Sequence, residues 1–345
     1  MPSHDTAGRR PTRRRFLEQV GRTAIAAGMA ASLTGAAPAA EPRKLEPGRV
    51  ATRLLGKTGL RVSEIGFGGH SWSYARVPDG GKLRIPTLDE AMRMISLGLD
   101  LGVNFFDSCT PKEEHTVPGE VVKRLKKRNQ VIVSARLCHK MKGVPNDRQE
   151  IFRWVDERLG LWQTDWFDLF MVTNTENDTP QSGYWDMSYA IEAIDKLKKQ
   201  GKIRFAGFGC HFTAEKYFEA FEKYGRAFDV CSVPYNIRHR AAEEIIPAAK
   251  RAGLGMVTIK PFARGALLAD RDPARDAGLA RDMVAFVLEN PLIDVCICGV
   301  HTDAHVKENF SASWTPLSPA ARQRLDRVAA QTARWHPAWL ERGWC

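Results

Sequence analysis

Eight short runs rich in β-branched and aromatic residues recur after residue 50, and an amphipathic stretch follows each: SEIGFGG, VNFFDS, VIVSAR, FDLFMVT, IRFAGFG, VCSVPYN, GMVTIKP and DVCICG. Runs apolar on both faces belong in a parallel sheet covered on both sides. Their alternation with helices predicts repeated β-α units. Eight such units over about 260 residues have the size of a closed (β/α)8 barrel. An open doubly wound sheet would want a G-x-G-x-x-G turn after its first strand, and GFGGHSW is not one. The predicted fold is therefore α/β, a (β/α)8 TIM barrel with an N-terminal β-hairpin and a short C-terminal tail.

Local signals agree. Thr87-Leu88-Asp89-Glu90 reads as a capping box, in which a hydroxyl and a carboxylate satisfy the free N–H groups of a helix start. Leu88, Ala91, Met92, Ile95 and Leu99 then fall on one stripe, and Gly102 ends the helix. Ile191, Ile194 and Leu197 make a second stripe, with Gly201 as its C-terminal cap. Ahead of the first barrel strand, RLLGKTGLRVS reads as a hairpin around Lys57-Thr58-Gly59, placed to plug the bottom of the barrel. The barrel is expected over residues 50–315, followed by a C-terminal helix and aromatic tail over 316–345. Three tryptophans in ARWHPAWLERGWC suit either a wall for a flat-faced polyol or packing on the barrel's outside.

The N-terminus reads as an address. TRRRFLEQ, with Arg13, Arg14 and Phe16-Leu17, precedes the small-residue run AIAAGMAASLTGAA, and Ala37-Pro38-Ala39 offers a cleavage site. Residues 1–39 are read as a twin-arginine-type export signal, which implies the twin-arginine export machinery as a partner and a periplasmic or otherwise exported location. The apolar run is too short and too weakly hydrophobic for a stable membrane span. The formal charge is +11, of which six arginines against Asp5 and Glu18 in the first 40 residues account for +4. The rest is a mild excess that suits an anionic ligand such as a dinucleotide. No basic stripe interleaved with aromatics argues for nucleic acid. The seven cysteines include no C-x-x-C and read as small buried residues, and no metal-ligand set is expected.

In such barrels function sits at the C-terminal ends of the strands. That rule selects Asp107, Arg136, Thr173, Asn174, Cys210, His211, Asn236, Lys260 and Gly299. These strand ends resemble those of the aldo-keto reductase family. RLLGKTGLRVSEIGFGG resembles its opening hairpin and first strand, VNFFDS its GINFFDTA, TDWFDLFMV its TDYIDLYLLH, and GKIRFAGFG its GKIRYIGVS. VPYN, IKPFARG and the closing Gly299 to Glu308-Asn309 spacing follow in order, so the resemblance covers roughly residues 52–312.

The resemblance implies hydride transfer between a carbonyl and the nicotinamide of NADP or NAD. The family pattern uses an aspartate, a tyrosine that protonates the carbonyl oxygen, a lysine and a histidine. Here Asp107 holds the aspartate place, Lys112 the tyrosine place, Arg136 the lysine place and Thr173 the histidine place. An Asp107–Arg136 ion pair is expected to replace the aspartate–lysine pair. Lys112 is the candidate substitute acid, or a cation for a developing alkoxide, if Arg136 and partial burial lower its pKa. His115, Tyr74 and His211 are the other candidates for proton transfer.

On the cofactor side the resemblance places Cys210, His211 and Ser232 near the nicotinamide, and Ile259 against its ring, with Lys260 at the same strand end. Arg264 and the backbone N–H groups of Gly265 and Ala266 are expected at the pyrophosphate. Gly299, His305, Glu308 and Asn309 fall in the adenosine region, and Lys307 reads as a surface lysine or a 2′-phosphate contact. Three functions stay open: an exported NAD(P)-dependent oxidoreductase of a small carbonyl or sugar-like substrate, a non-catalytic ligand- or partner-binding barrel, and a nucleotide-independent acid–base enzyme on carbohydrates.

Overall fold

The computed structural model describes residues 43, 45–74, 76–79, 82–138, 148–174, 188–210, 214–272 and 274–331. The expected export signal over 1–39, His211 and the aromatic segment from 332 onward lie outside the described residues. All eight strand-like runs form strands: β3 (Ile65–Gly68), β6 (Phe105–Ser108), β7 (Ile132–Cys138), β8 (Phe167–Asn174), β9 (Ile203–Cys210), β10 (Val230–Pro234), β11 (Gly255–Ile259) and β12 (Val295–Cys298). They close in chain order into an eight-stranded barrel in which every pair is parallel.

The hairpin strands β1 (Thr52–Leu54) and β2 (Arg61–Ser63) pair antiparallel. Their loop and flanks carry Leu55, Leu60 and Val62 into one apolar cluster with Phe105, Ile132, Leu169, Met171, Val230, Val257 and Val295. Burying each such side chain stabilises by about 1.5–3 kcal/mol. Gly56 sits against the first residue of β11, where an added Cβ would lie 2.2 Å from the Gly255 nitrogen. The hairpin thus plugs the end where the strands begin, and the opposite end is left to chemistry. Buried Glu64 ties this corner together, accepting from Arg43, Arg53 and Ser313.

After β3 the chain makes a short helix α1 (His70–Ser73) and a small hairpin of β4 (Val77–Asp79) and β5 (Lys82–Arg84). The helices that cover the barrel are α2 (Leu88–Asp100), α3 (Glu113–Arg124), α4 (Arg148–Trp162), α5 (Ser188–Lys199), α6 (Ala214–Tyr224), α7 (Ala242–Arg251), α8 (Leu279–Leu288) and α9 (Asp303–Phe310), with α10 (Pro319–Gln331) after them. The capping box at Thr87 and Glu90 forms with both bonds made. The buried stripe of α2 differs from the expected one: Ala91, Met94, Ile95 and Gly98 are buried, whereas Leu88, Met92 and Leu99 are half-buried. Gly98 takes the inner place because Phe67 packs there, and a Cβ would lie 2.3 Å from its ring. Cys109, Cys231, Cys296 and Cys298 are buried. Among the described residues no group of three or more His, Cys, Asp or Glu side chains is arranged to hold a metal ion.

Candidate active site

Parallel strands bring their C-terminal ends to one rim, and the inward side chains there are polar. Asp107 on β6 accepts from Ser134 Oγ at 2.8 Å and from Arg136 through Nε (3.2 Å) and Nη2 (3.1 Å). Arg136 on β7 also donates from Nη1 to Thr173 Oγ1 on β8 at 3.0 Å. All four side chains are buried. A bidentate pair of this kind replaces lost hydration with two charge-assisted bonds. Burial pushes the guanidinium pKa down, but the Asp107 charge and its hydrogen bonds outweigh that, so the Arg136 pKa stands above the ordinary value.

A cavity of about 350 Å³ opens above this pair, within the size range of small-molecule sites. It starts at Asp107, Arg136, Ile259 and Ile297 over the barrel axis. Its wall also takes in Arg264 and Arg271 from the segment after β11 and His301 and His305 from the segment after β12. The loop after β11 owes its shape to left-handed backbone at Lys260, Ala263, Arg264 and Gly265. Asn236 holds it by donating from Nδ2 to the Lys260 carbonyl at 2.9 Å, while its Oδ1 accepts from the Arg238 and His239 backbone N–H groups. Asn236 is therefore a loop clamp. On the other side, Asn309 Nδ2 donates to the Gly299 carbonyl at 3.3 Å.

The expected residues distribute unevenly over this site. Asp107, Arg136, Lys260, Arg264, Gly265, Gly299, His305 and Asn309 line the cavity together. Thr173 and Ser232 are buried and do not line it. Glu308 stands behind it, 3.5 Å from Arg271. Cys210 ends β9, and its side chain, like that of Asn174, is outside what the structure describes.

Three expectations are corrected. Lys112 does not reach the cavity: it stands at the N-terminus of α3, its side chain 64% exposed, with Nζ 2.5 Å from Glu157 on α4. The loop after β6 turns straight into a helix, which carries that side chain over the outer face. Gly265 does not offer its N–H to an anion, because that group donates to the Phe262 carbonyl at 2.8 Å inside the turn. His115 is also no acid here. It is buried, its Nε2 bonds the Cys109 carbonyl at 2.6 Å, and burial drives its pKa down to about 3.

Sequence reasoning missed His70, Glu114, Arg271 and His301. His70 lies two residues past β3, so the strand-end rule was the signal that could have found it. Glu114 sits in a charged KEEH stretch that reads as solvent-exposed, yet it is fully buried in the cavity wall. Tyr74 lines the cavity, its ring 4.6 Å from that of His70 and 5.6 Å from the Arg264 guanidinium. Burial raises its pKa and Arg264 opposes the rise.

The wall fits an anionic nucleotide. Arg271 Nε and His301 Nε2 are buried and without a hydrogen-bond partner among the described residues, and buried polar atoms in that state favour a ligand that satisfies them. Burial, with His305 beside it, lowers the His301 pKa to about 4, so the ring is neutral at pH 7. The arginines carry the positive charge.

Comparison with known proteins agrees with this architecture. Residues 64–284 match the sequence model of the aldo/keto reductase family. L-galactose dehydrogenase of Arabidopsis thaliana is 28% identical over 234 residues, covering 65% of this chain and 69% of that protein. The uncharacterized oxidoreductase YrpG of Bacillus subtilis is 26% identical over 324 residues, covering 79% and 94%. Among solved structures, a holo-form aldo-keto reductase of Bacillus halodurans superposes with a TM-score of 0.64 at 22% identity, covering 81% of this chain and 97% of that one.

Proposed function

The chain belongs to the aldo/keto reductase family, and on that premise we propose that it is an NAD(P)-dependent oxidoreductase interconverting a carbonyl and an alcohol on a small or sugar-like substrate. The observation that carries this reading is the cleft itself. One continuous cavity joins the buried Asp107–Arg136 pair to a wall holding Arg264, Arg271 and His301. Arg264 and Arg271 would meet the nucleotide's phosphates, and Ile259 would pack on its ring end. Bound there, the nicotinamide supplies or accepts the hydride.

The chain's own residues then have distinct work. Arg136 stays charged and is a poor proton donor. It has N–H groups beyond those given to Asp107 and Thr173, and these can polarise a substrate oxygen placed over the barrel axis. Asp107 fixes the guanidinium plane. In this reading the family tetrad is altered: the aspartate is kept, Arg136 and Thr173 take the lysine and histidine places, and the acid comes from the cavity wall rather than from Lys112. A sugar-like substrate is supported by the resemblance to L-galactose dehydrogenase. The N-terminal arginine pair supports export of the folded, nucleotide-loaded protein.

Calorimetric titration with NADPH and NADH, followed by a panel of aldehydes and aldoses, tests the reading. Binding of one nucleotide in the micromolar range with turnover of a panel member is expected. Binding without turnover of any member would favour a ligand-binding barrel. Turnover without nucleotide would favour acid–base chemistry on carbohydrates.

A further inference from the structure

Glu114 is a carboxylate with no accessible surface, and the fold has gone to some length to place it. It comes from the first turn of α3 and reaches back under the turn between β3 and α1. Its Oε1 accepts from Ser73 Oγ at 2.6 Å and stands 2.6 Å from His70 Nδ1; its Oε2 accepts from the Cys109 backbone N–H at 2.8 Å. Gly69 makes the approach possible, since a Cβ there would lie 2.2 Å from Oε2. Both carboxylate oxygens already accept from other donors, Ser73 Oγ and the Cys109 N–H, so the geometry assigns the proton between the two side chains to Nδ1. That assignment leaves Nε2 as the nitrogen that exchanges protons. It has no hydrogen-bond partner among the described residues, and the ring borders the same cavity as Asp107 and Arg136. A carboxylate that fixes an imidazole's tautomer and orientation while the other nitrogen faces a cleft is built for proton transfer.

We propose that His70 moves the proton at the substrate oxygen and that Glu114 is the positioning residue that holds its ring. The assignment rests on the reading of the cleft as a site of hydride transfer. In the oxidative direction the substrate O–H bond breaks and an Nε2–H bond forms. The hydride and its electron pair leave the carbinol carbon for an oxidised nicotinamide nucleotide, which is the oxidant; reduction reverses each change.

The groups facing His70 are ill-suited to compete. Cys109 is pushed up to about 12 by burial and by Glu114, so it stays a thiol. His301 is neutral at pH 7, as described above. Tyr74 packs on the His70 ring and its phenol is made less acidic by burial. Arg264 and Arg136 are permanent cations, and Asp107 is committed to Arg136 and Ser134.

Two measurements on the full chain test this. In protein labelled with 15N-histidine, with His70 assigned by His70→Gln, Nδ1 should stay protonated through a pH titration while Nε2 takes the exchanging proton. Glu114→Leu, which leaves Nδ1 without that acceptor, should remove the preference. Mixed tautomers in the wild type, or spectra unchanged by Glu114→Leu in a folded protein, would overturn the proposal whatever the substrate. With NADPH and 4-nitrobenzaldehyde as probes, His70→Ala should lower kcat and kcat/KM alike by about 10²–10⁴-fold. Nucleotide affinity should stay within about threefold, and added 4-methylimidazole should restore part of the turnover. Retention of kcat in a folded His70→Ala protein, or a larger loss in Tyr74→Phe, would refute it. A wild type that binds neither NADPH nor NADH would instead sink the oxidoreductase reading, and the ring-nitrogen spectra would still decide the dyad.

Discussion

Replacing Asp107 with leucine strips the buried Arg136 guanidinium of its counter-charge. The pair is 4% and 9% exposed at its side chains and is joined by two hydrogen bonds, so solvent cannot replace the lost carboxylate. Breaking a buried pair from one side costs about 3–5 kcal/mol. In a barrel of this size that is a fall of about 6–10 °C in Tm. The double variant Asp107→Leu/Arg136→Met removes both charges and refills the space with apolar volume, so it should recover to within about 2 kcal/mol of the wild type. Thermal unfolding followed by circular dichroism on the single and double variants reads both numbers. Additive losses in the double variant would refute the claim that charge compensation, rather than packing, governs this corner.

Other expectations follow from burial and capping. The His115 and His239 pKa values are depressed by burial to about 3 and about 4. The unfolded chain therefore takes up protons below about pH 6.5 that the fold refuses, and stability should drop by about 1.4 kcal/mol per pH unit per histidine as pH falls towards 4. Urea midpoints that stay level from pH 7 to pH 5 would contradict this. Lys112→Met should leave turnover within about twofold, because an exposed ion pair with Glu157 contributes about 0–1 kcal/mol and touches nothing in the cleft; a loss comparable to that of His70→Ala would reinstate it as the acid. Thr87→Ala should cost about 1 kcal/mol by removing one half of the α2 capping box, read by chemical denaturation.

The barrel was legible because its signals are local. Apolar runs such as FDLFMVT and IRFAGFG define strands by composition, and Thr87 and Glu90 define a helix start through bonds three residues apart. Asp107 and Arg136 could be paired because adjacent parallel strands bring their ends together. The rest of the site depends on turns. Lys112 and Glu114 are two residues apart in one charged stretch, and only the tight entry into α3 decides that the first faces Glu157 outside while the second dives beneath Gly69. Gly69 itself carries no pattern that announces a close approach. The spent N–H of Gly265 likewise follows from a run of left-handed residues that IKPFARG does not display. The stripe on α2 shifted because Phe67, distant in sequence, takes the space beside Gly98.

Hydride transfer within this cleft between a nucleotide and a carbonyl would leave an isotopic trace. Reaction with nicotinamide nucleotide deuterated at C4, with the product weighed by mass spectrometry, tests it directly. One deuterium is expected on the carbinol carbon of the product, with formation of that labelled product falling sharply when Arg136 is replaced by methionine. Product formed without label, or label transfer unaffected by Arg136→Met, would contradict it.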